Sequence, residues 1–213
     1  MLFFRKWLRV FTRYVLEGPA RVLARLRVEP TTLTVSGLLV SLGAGWTVAR
    51  GELTTTAWLL LLSGFFDMVD GQVARLREKS GPAGALTDSL IDRLSDGAVM
   101  VGVIYLFALR GETWYLLAAA AALVLSGAVS YIKARAENYV DDCAVGFWQR
   151  PERLVLLVLG CFFGYTYLRI AVVVLAVGAL GTTLRRFIHA LGRLDNQRDG
   201  QAAPDEGDAG EDH

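Results

Sequence analysis

The sequence predicts an all-α integral membrane protein, with six transmembrane helices preceded by an N-terminal interfacial amphipathic helix. Three observations lead there. Of the 213 residues, 54% are hydrophobic and the mean hydropathy is +0.40; the apolar residues gather in six long stretches; and the charged residues cluster between them. A soluble domain spreads its charge more evenly. With 22 Lys and Arg against 21 Asp and Glu, the net charge is only +1, so no basic field points to nucleic acid. Cys143 and Cys161 show neither CxxC pairing nor Cys/His ligand spacing, so neither a disulfide framework nor a zinc site is expected.

Residues 1–29 form the first unit. Arg5, Arg9 and Arg13 recur every four residues on one helical face, while Phe4, Trp7, Leu8, Phe11 and Val15 fall on the other. This is the pattern of a helix lying in the headgroup layer, held by apolar burial and by attraction to anionic lipid. No uninterrupted apolar core is present there, so a signal peptide is not expected. A membrane domain follows over 30–192, with apolar segments at 32–49, 53–74, 85–109, 113–132, 152–168 and 170–190, each close to the roughly 20 residues that span a bilayer. Pro30 precedes the first, where Thr31 or Thr34 is the candidate helix cap, and Pro151 fits the first turn of the fifth helix. Residues 193–213 are rich in Asp, Glu, Gly, Ala and Gln and predict a disordered acidic tail.

Placing residues 1–29 in the cytoplasm puts 18 of the 22 basic residues on that side, leaving only Arg50, Arg110 and Arg169 in the opposite loops and Arg93 within the third segment. The positive-inside rule then sets both termini in the cytoplasm of a multi-pass cell-membrane protein.

The chemistry concentrates where the second segment ends and the third begins. Asp67 and Asp70 are three residues apart, and Asp88 and Asp92 four apart, so each pair shares a helix face. The short 76–83 connection predicts antiparallel neighbouring helices, which would turn four carboxylates toward one small volume near the cytoplasmic end. An Asp within the bilayer costs about 2.5–3.5 kcal/mol on insertion scales, and crowded like charges resist ionisation. Divalent cations would relieve both penalties, and hard oxygen donors without His or Cys suit Mg²⁺, Mn²⁺ or Ca²⁺ rather than zinc. Small residues at Gly71, Ala74 and Gly84 let either a substrate or a neighbouring helix approach closely. A structural alternative pairs the acids with Arg75, Arg77 and Arg93. A cation transporter would also collect acids, but its site belongs near the midplane, whereas Asp67 lies about 21 Å along the helix from Leu53.

From Asp67 to Asp92 the chain reads D-x2-D-G-x2-A-R-x8-G-x3-D-x3-D, eight fixed residues over 26 positions, and in this it resembles the CDP-alcohol phosphatidyltransferases. The resemblance implies a six-helix, homodimeric membrane enzyme that transfers a phosphatidyl group from a CDP-linked lipid to an alcohol and releases CMP. It further implies that Asp67, Asp70 and Asp88 ligate two metal ions, Mg²⁺ or Mn²⁺. Asp92 would share in the metal site and act as catalytic base, and Gly71, Ala74, Arg75 and Gly84 would cradle the cytidine diphosphate. Many members carry Pro-Asn-x-x-Thr before the first span; here Pro30-Thr31-Thr32-Leu33-Thr34 retains the Pro and the last Thr, adding Thr34 to the CDP-lipid set. Asp96 continues the acidic face outside the signature, as a partner for Arg93 or part of a polar network.

A second cluster, with Lys133 and Arg135 closing the fourth span, Arg150 and Arg153 opening the fifth and Arg185 and Arg186 ending the sixth, points to an anionic acceptor, because desolvated cations would gain nothing from an uncharged alcohol. It is similar to that of the phosphatidylinositol phosphate synthase branch, which implies that Lys133, Arg153 and Arg186 hold the phosphate of inositol phosphate. Glycerol 3-phosphate, the acceptor in phosphatidylglycerophosphate synthesis, fits the same charge.

Overall fold

The computed structural model describes residues 16–77, 81–136 and 150–201. Described residues 16–25 form α1, followed by α2 (Pro30–Ala49), α3 (Leu53–Leu76), α4 (Pro82–Leu109), α5 (Thr113–Ala136), α6 (Arg150–Phe163) and α7 (Tyr165–Gln201). The amphipathic face expected between Phe4 and Val15 lies outside the described residues. Within α1, Leu16 and Ala20 are buried against Leu33 of α2 and Val69 and Val73 of α3.

Pro30 and Pro82 open α2 and α4 at positions where a missing N–H costs nothing. The expected Thr cap on α2 is not formed: Glu29 is the N-cap residue, without a side-chain capping bond, and the Thr34 hydroxyl instead donates to the Pro30 carbonyl at 3.1 Å. The fifth and sixth helices meet earlier than the hydropathy indicates. Gly164, at φ 99°, ends α6 in a left-handed conformation that needs glycine, and Arg169 therefore lies inside α7 rather than in a loop. At the other end, α7 runs to Gln201, beyond the predicted boundary at 192. Elongating an existing helix avoids the cost of nucleation.

α2 packs on α3 and α4, α3 also on α6, α6 on α7, α7 on α5, and α5 on α4. These six helices close a ring. α3 and α4, expected as antiparallel neighbours, have no comparable mutual packing among the described residues; carboxylates from both helices converge there and a cavity lies beside them. What holds them in register is α2. It approaches α4 so closely that a Cβ on Gly102 would strike the Gly45 carbonyl, and one on Gly45 the Ala98 carbonyl, a small-residue helix crossing of the kind that membrane proteins use.

Apolar side chains including Val48, Leu60, Val103, Phe107, Leu168 and Val172 fill the part of the ring away from the acids. Trp46, Trp58 and Trp114 are exposed on the outside, as expected for residues facing lipid or its interface. By length and apolarity, α2, α3, α5 and α7 can cross a membrane. α4 carries Asp88, Asp92, Arg93 and Asp96 in its first half, and α6 has only 14 residues; both fall short by composition or length alone.

Candidate active site

The last turns of α3 carry Asp67 and Asp70, and the first half of α4 carries Asp88, Asp92 and Asp96. Oxygen atoms of Asp67, Asp70 and Asp88 lie within 4.8 Å of one another. Asp70 is buried at 5% exposure, and its Oδ2 has no hydrogen-bond partner among the described residues. A buried carboxylate oxygen is rarely left unsatisfied. Three converging hard oxygen donors, one of them unpaired, fit a divalent cation such as Mg²⁺ or Mn²⁺.

Beside these acids lies a cavity of about 570 Å³, within the range of small-molecule sites. Thr34, Gly71, Ala74, Arg75 and Gly84 all line it, together with Asp70 and Asp88. The structure thus gathers every residue that the family resemblance implies for CDP-lipid binding at one cavity that opens onto two of the acids. A Cβ built on Gly71 would meet nothing within 4 Å, so helix packing does not require glycine at that position. Arg75 Nε donates to the Gly71 carbonyl at 3.0 Å. The cavity rim includes Glu29, Pro30 and Thr31, and Arg77 fixes that strip of backbone: its Nη1 donates to the Val28 carbonyl at 2.8 Å and the Arg27 carbonyl at 3.2 Å, and lies 3.5 Å from Glu29. Arg27 adopts φ 58°, a left-handed conformation uncommon outside glycine.

Asp67 and Asp92 face inward, lining a small recess with Thr34, Asp70, Ser95 and Arg150. Here the structure departs from the structural alternative that pairs the acids with Arg75, Arg77 and Arg93. Arg93 Nη1 donates to the Ser89 carbonyl of its own helix at 3.1 Å. The cations that meet the acids come from α6, which packs on α3. Arg150 Nη1 pairs with Asp67 and, at 2.8 Å, with Asp92, while its Nε is 3.8 Å from Asp96. One turn on, Arg153 Nη2 bonds Asp96 at 2.9 Å. Asp96 therefore belongs to a network with α6 rather than to an Arg93 pair. The sequence contained a signal for Arg150, since it stands three residues before Arg153 and shares its helix face.

Of the residues expected to hold the acceptor phosphate, Arg153 lines a largely apolar cavity inside the ring with Asp96, Arg150, Ser41, Ser63 and Ser126. Arg186 is buried at 4% exposure, and its Nη1 donates to the Val129 carbonyl of α5 at 2.9 Å, whereas neighbouring Arg185 is exposed. Lys133 belongs to the last turns of α5, and its side chain lies outside what the structure describes.

The family model of CDP-alcohol phosphatidyltransferase matches residues 27–191. The archaetidylinositol phosphate synthase of Methanothermobacter thermautotrophicus is 37% identical over 174 residues, covering 80% of this chain and 87% of its own. The phosphatidylinositol phosphate synthase of Mycobacteroides abscessus is 35% identical over 179 residues, covering 81% of each. Among solved structures, the Mycobacterium tuberculosis phosphatidylinositol phosphate synthase with CDP-DAG bound aligns with a TM-score of 0.76 at 31% identity, over 83% of this chain and 94% of that one. The same enzyme in complex with manganese and citrate aligns with a TM-score of 0.77 at 32% identity, over 83% and 89%. With helices that can cross a bilayer, an acid cluster fit for a cation and a family match running from the end of α1 into α7, this chain belongs to the CDP-alcohol phosphatidyltransferases and is an integral membrane enzyme.

Proposed function

We propose that this chain transfers the phosphatidyl or archaetidyl group of a CDP-linked lipid to a hydroxyl of inositol phosphate, releasing CMP, as a step in phospholipid biosynthesis. The observation that carries this reading is the cavity on which Thr34, Gly71, Ala74, Arg75 and Gly84 converge beside Asp70 and Asp88. It offers a nucleotide diphosphate close backbone approach at Gly71 and Ala74 and fixed positive charge at Arg75, with its phosphates directed toward the acids. The inositol phosphate acceptor is supported by the relatives named archaetidylinositol phosphate synthase and phosphatidylinositol phosphate synthase, and by the Arg150 and Arg153 cations at the inner cavity.

Asp67, Asp70, Asp88 and Asp92 would hold two Mg²⁺ or Mn²⁺ ions, which when bound supply charge to neutralise the pyrophosphate and the departing CMP. Asp92 takes the proton of the acceptor hydroxyl. That oxygen then bonds to the lipid-side phosphorus, and the bond from phosphorus to the CMP oxygen breaks in a single direct displacement. Lys133, Arg153 and Arg186 bind the acceptor phosphate.

The reading includes a membrane frame. α2 to α7 each cross the bilayer, α4 and α6 being shielded by their neighbours in the ring. Both termini and the acids face the cytoplasm, as the clustering of Lys and Arg supports, and the family resemblance supports a homodimer.

The test is CMP release by the purified protein in detergent with Mg²⁺ or Mn²⁺ and CDP-diacylglycerol or CDP-archaeol, comparing inositol phosphate, glycerol 3-phosphate, inositol and serine. Preference for inositol phosphate is expected. Preference for glycerol 3-phosphate would overturn the acceptor while keeping the family chemistry.

A further inference from the structure

The Arg150 guanidinium stands between the two halves of the acid cluster. It is the first residue of α6, its side chain is 24% exposed, and one nitrogen, Nη1, meets both Asp67 of α3 and Asp92 of α4. Asp67 also contributes to the group of three carboxylates whose oxygens converge within 4.8 Å. A guanidinium held against Asp67 and a dication coordinated by the same carboxylate would repel one another at close range in a partly buried site. The two forms of neutralisation meet at one carboxylate, that of Asp67. Asp96 differs, because Arg153 bonds it independently at 2.9 Å, so Arg150 can leave Asp67 and Asp92 without stranding any acid outside the metal site.

On the reading under "Proposed function", we infer that Arg150 is a tethered counter-ion that metal binding exchanges. Without metal it bridges Asp67 and Asp92 and holds α3 and α4 at their working separation, although these helices barely pack on one another. When metal enters, the guanidinium releases both carboxylates and stays near Asp96, 3.8 Å from its Nε. There it already lines the inner cavity beside Arg153, and freed of two anions it supplies a second positive charge for an anionic acceptor. Metal binding thereby primes anion binding, and by linkage a bound anion strengthens metal binding. Arg150 is a positioning residue in this scheme.

The experiment measures Mn²⁺ binding to the full chain in detergent, following the electron paramagnetic resonance signal of free Mn²⁺, for wild type, Arg150→Gln, Arg153→Gln and Asp70→Asn. Wild type binds Mn²⁺ and Asp70→Asn loses most of that binding. Arg150→Gln binds at least tenfold more tightly than wild type, while Arg153→Gln, which removes the same charge from the same helix, changes the affinity by less than threefold. Unfolding temperature gives a second readout: without metal Arg150→Gln melts below wild type, and Mn²⁺ raises its melting point by more than it raises that of wild type. Should Arg150→Gln not fold, Arg150→Lys keeps the charge but lacks the fork that spans two carboxylates, and its Mn²⁺ affinity rises by about threefold or more. Unchanged or weaker Mn²⁺ binding in the Arg150 variant, or equal tightening in both arginine variants, overturns the exchange while leaving the metal site standing. No Mn²⁺ binding by wild type overturns the metal reading and the exchange together.

Discussion

Gly45 and Gly102 meet face to face where α2 crosses α4, with no room for a Cβ on Gly102 against the Gly45 carbonyl. Because α3 and α4 pack little on each other, this crossing sets where Asp88 and Asp92 stand relative to Asp67 and Asp70. Gly102→Ala is expected to lower stability by about 1–3 kcal/mol, the usual cost of overpacking, and to reduce transfer activity by more than the loss of folded protein explains. Thermal unfolding in detergent, with activity normalised to folded fraction, checks both.

Gly71 separates packing from substrate contact. A Cβ on Gly71 meets nothing within 4 Å and the residue borders the cavity, so Gly71→Leu should fold with a melting temperature near that of wild type. The same side chain fills part of the CDP-lipid cavity, and affinity for CDP-diacylglycerol is expected to fall more than tenfold in a direct binding assay.

Arg77 lies two residues after Arg75, at an unfixed position of the signature, and holds the backbone of residues 27 and 28 below the cavity rim. Losing hydrogen bonds to a charged group costs about 1.5–3 kcal/mol each in general, and partial exposure reduces this. Arg77→Gln should raise KM for the CDP-lipid by roughly fivefold to thirtyfold, corresponding to about 1–2 kcal/mol, with a much smaller change in kcat. Steady-state kinetics in mixed micelles measure the split.

Asp92 and Asp70 should fail in different ways. Asp92→Asn is expected to lower kcat by about 10²–10⁴, the range for removing a general base, while CDP-lipid still binds in a metal-dependent manner. Asp70→Asn removes a ligand from the buried centre of the cluster and should weaken metal and nucleotide binding together. Full transfer activity in the Asp92 variant would remove its assigned role.

Much of this site was legible in the sequence because its residues sit on two helices joined by a short connection. Helical spacing alone puts Asp67 with Asp70 and Asp88 with Asp92, and the resemblance supplied Gly71, Ala74, Arg75 and Gly84, all of which line one cavity. The pairing of Arg150 with Asp67 and Asp92 was hidden because it crosses more than fifty residues and depends on α6 packing against α3. The separation of α3 from α4 was hidden for a related reason. A short loop fixes which ends of two helices are near, but a third helix, here α2 at the Gly45 and Gly102 crossing, decides how closely they pack. The break at Gly164 was obscured by hydropathy, since the apolar run continues on both sides of it and only the backbone angle ends the helix.

The most direct measurement is CMP release from CDP-diacylglycerol and inositol phosphate by wild type and Asp70→Asn, each assayed with chelator and then with Mn²⁺ restored. Wild type should be silent in chelator and fully active once Mn²⁺ returns, with Asp70→Asn at least a hundredfold slower than wild type after Mn²⁺ is restored. CMP release by wild type that persists in chelator, or an Asp70 variant as fast as wild type, would contradict catalysis at the aspartate cluster.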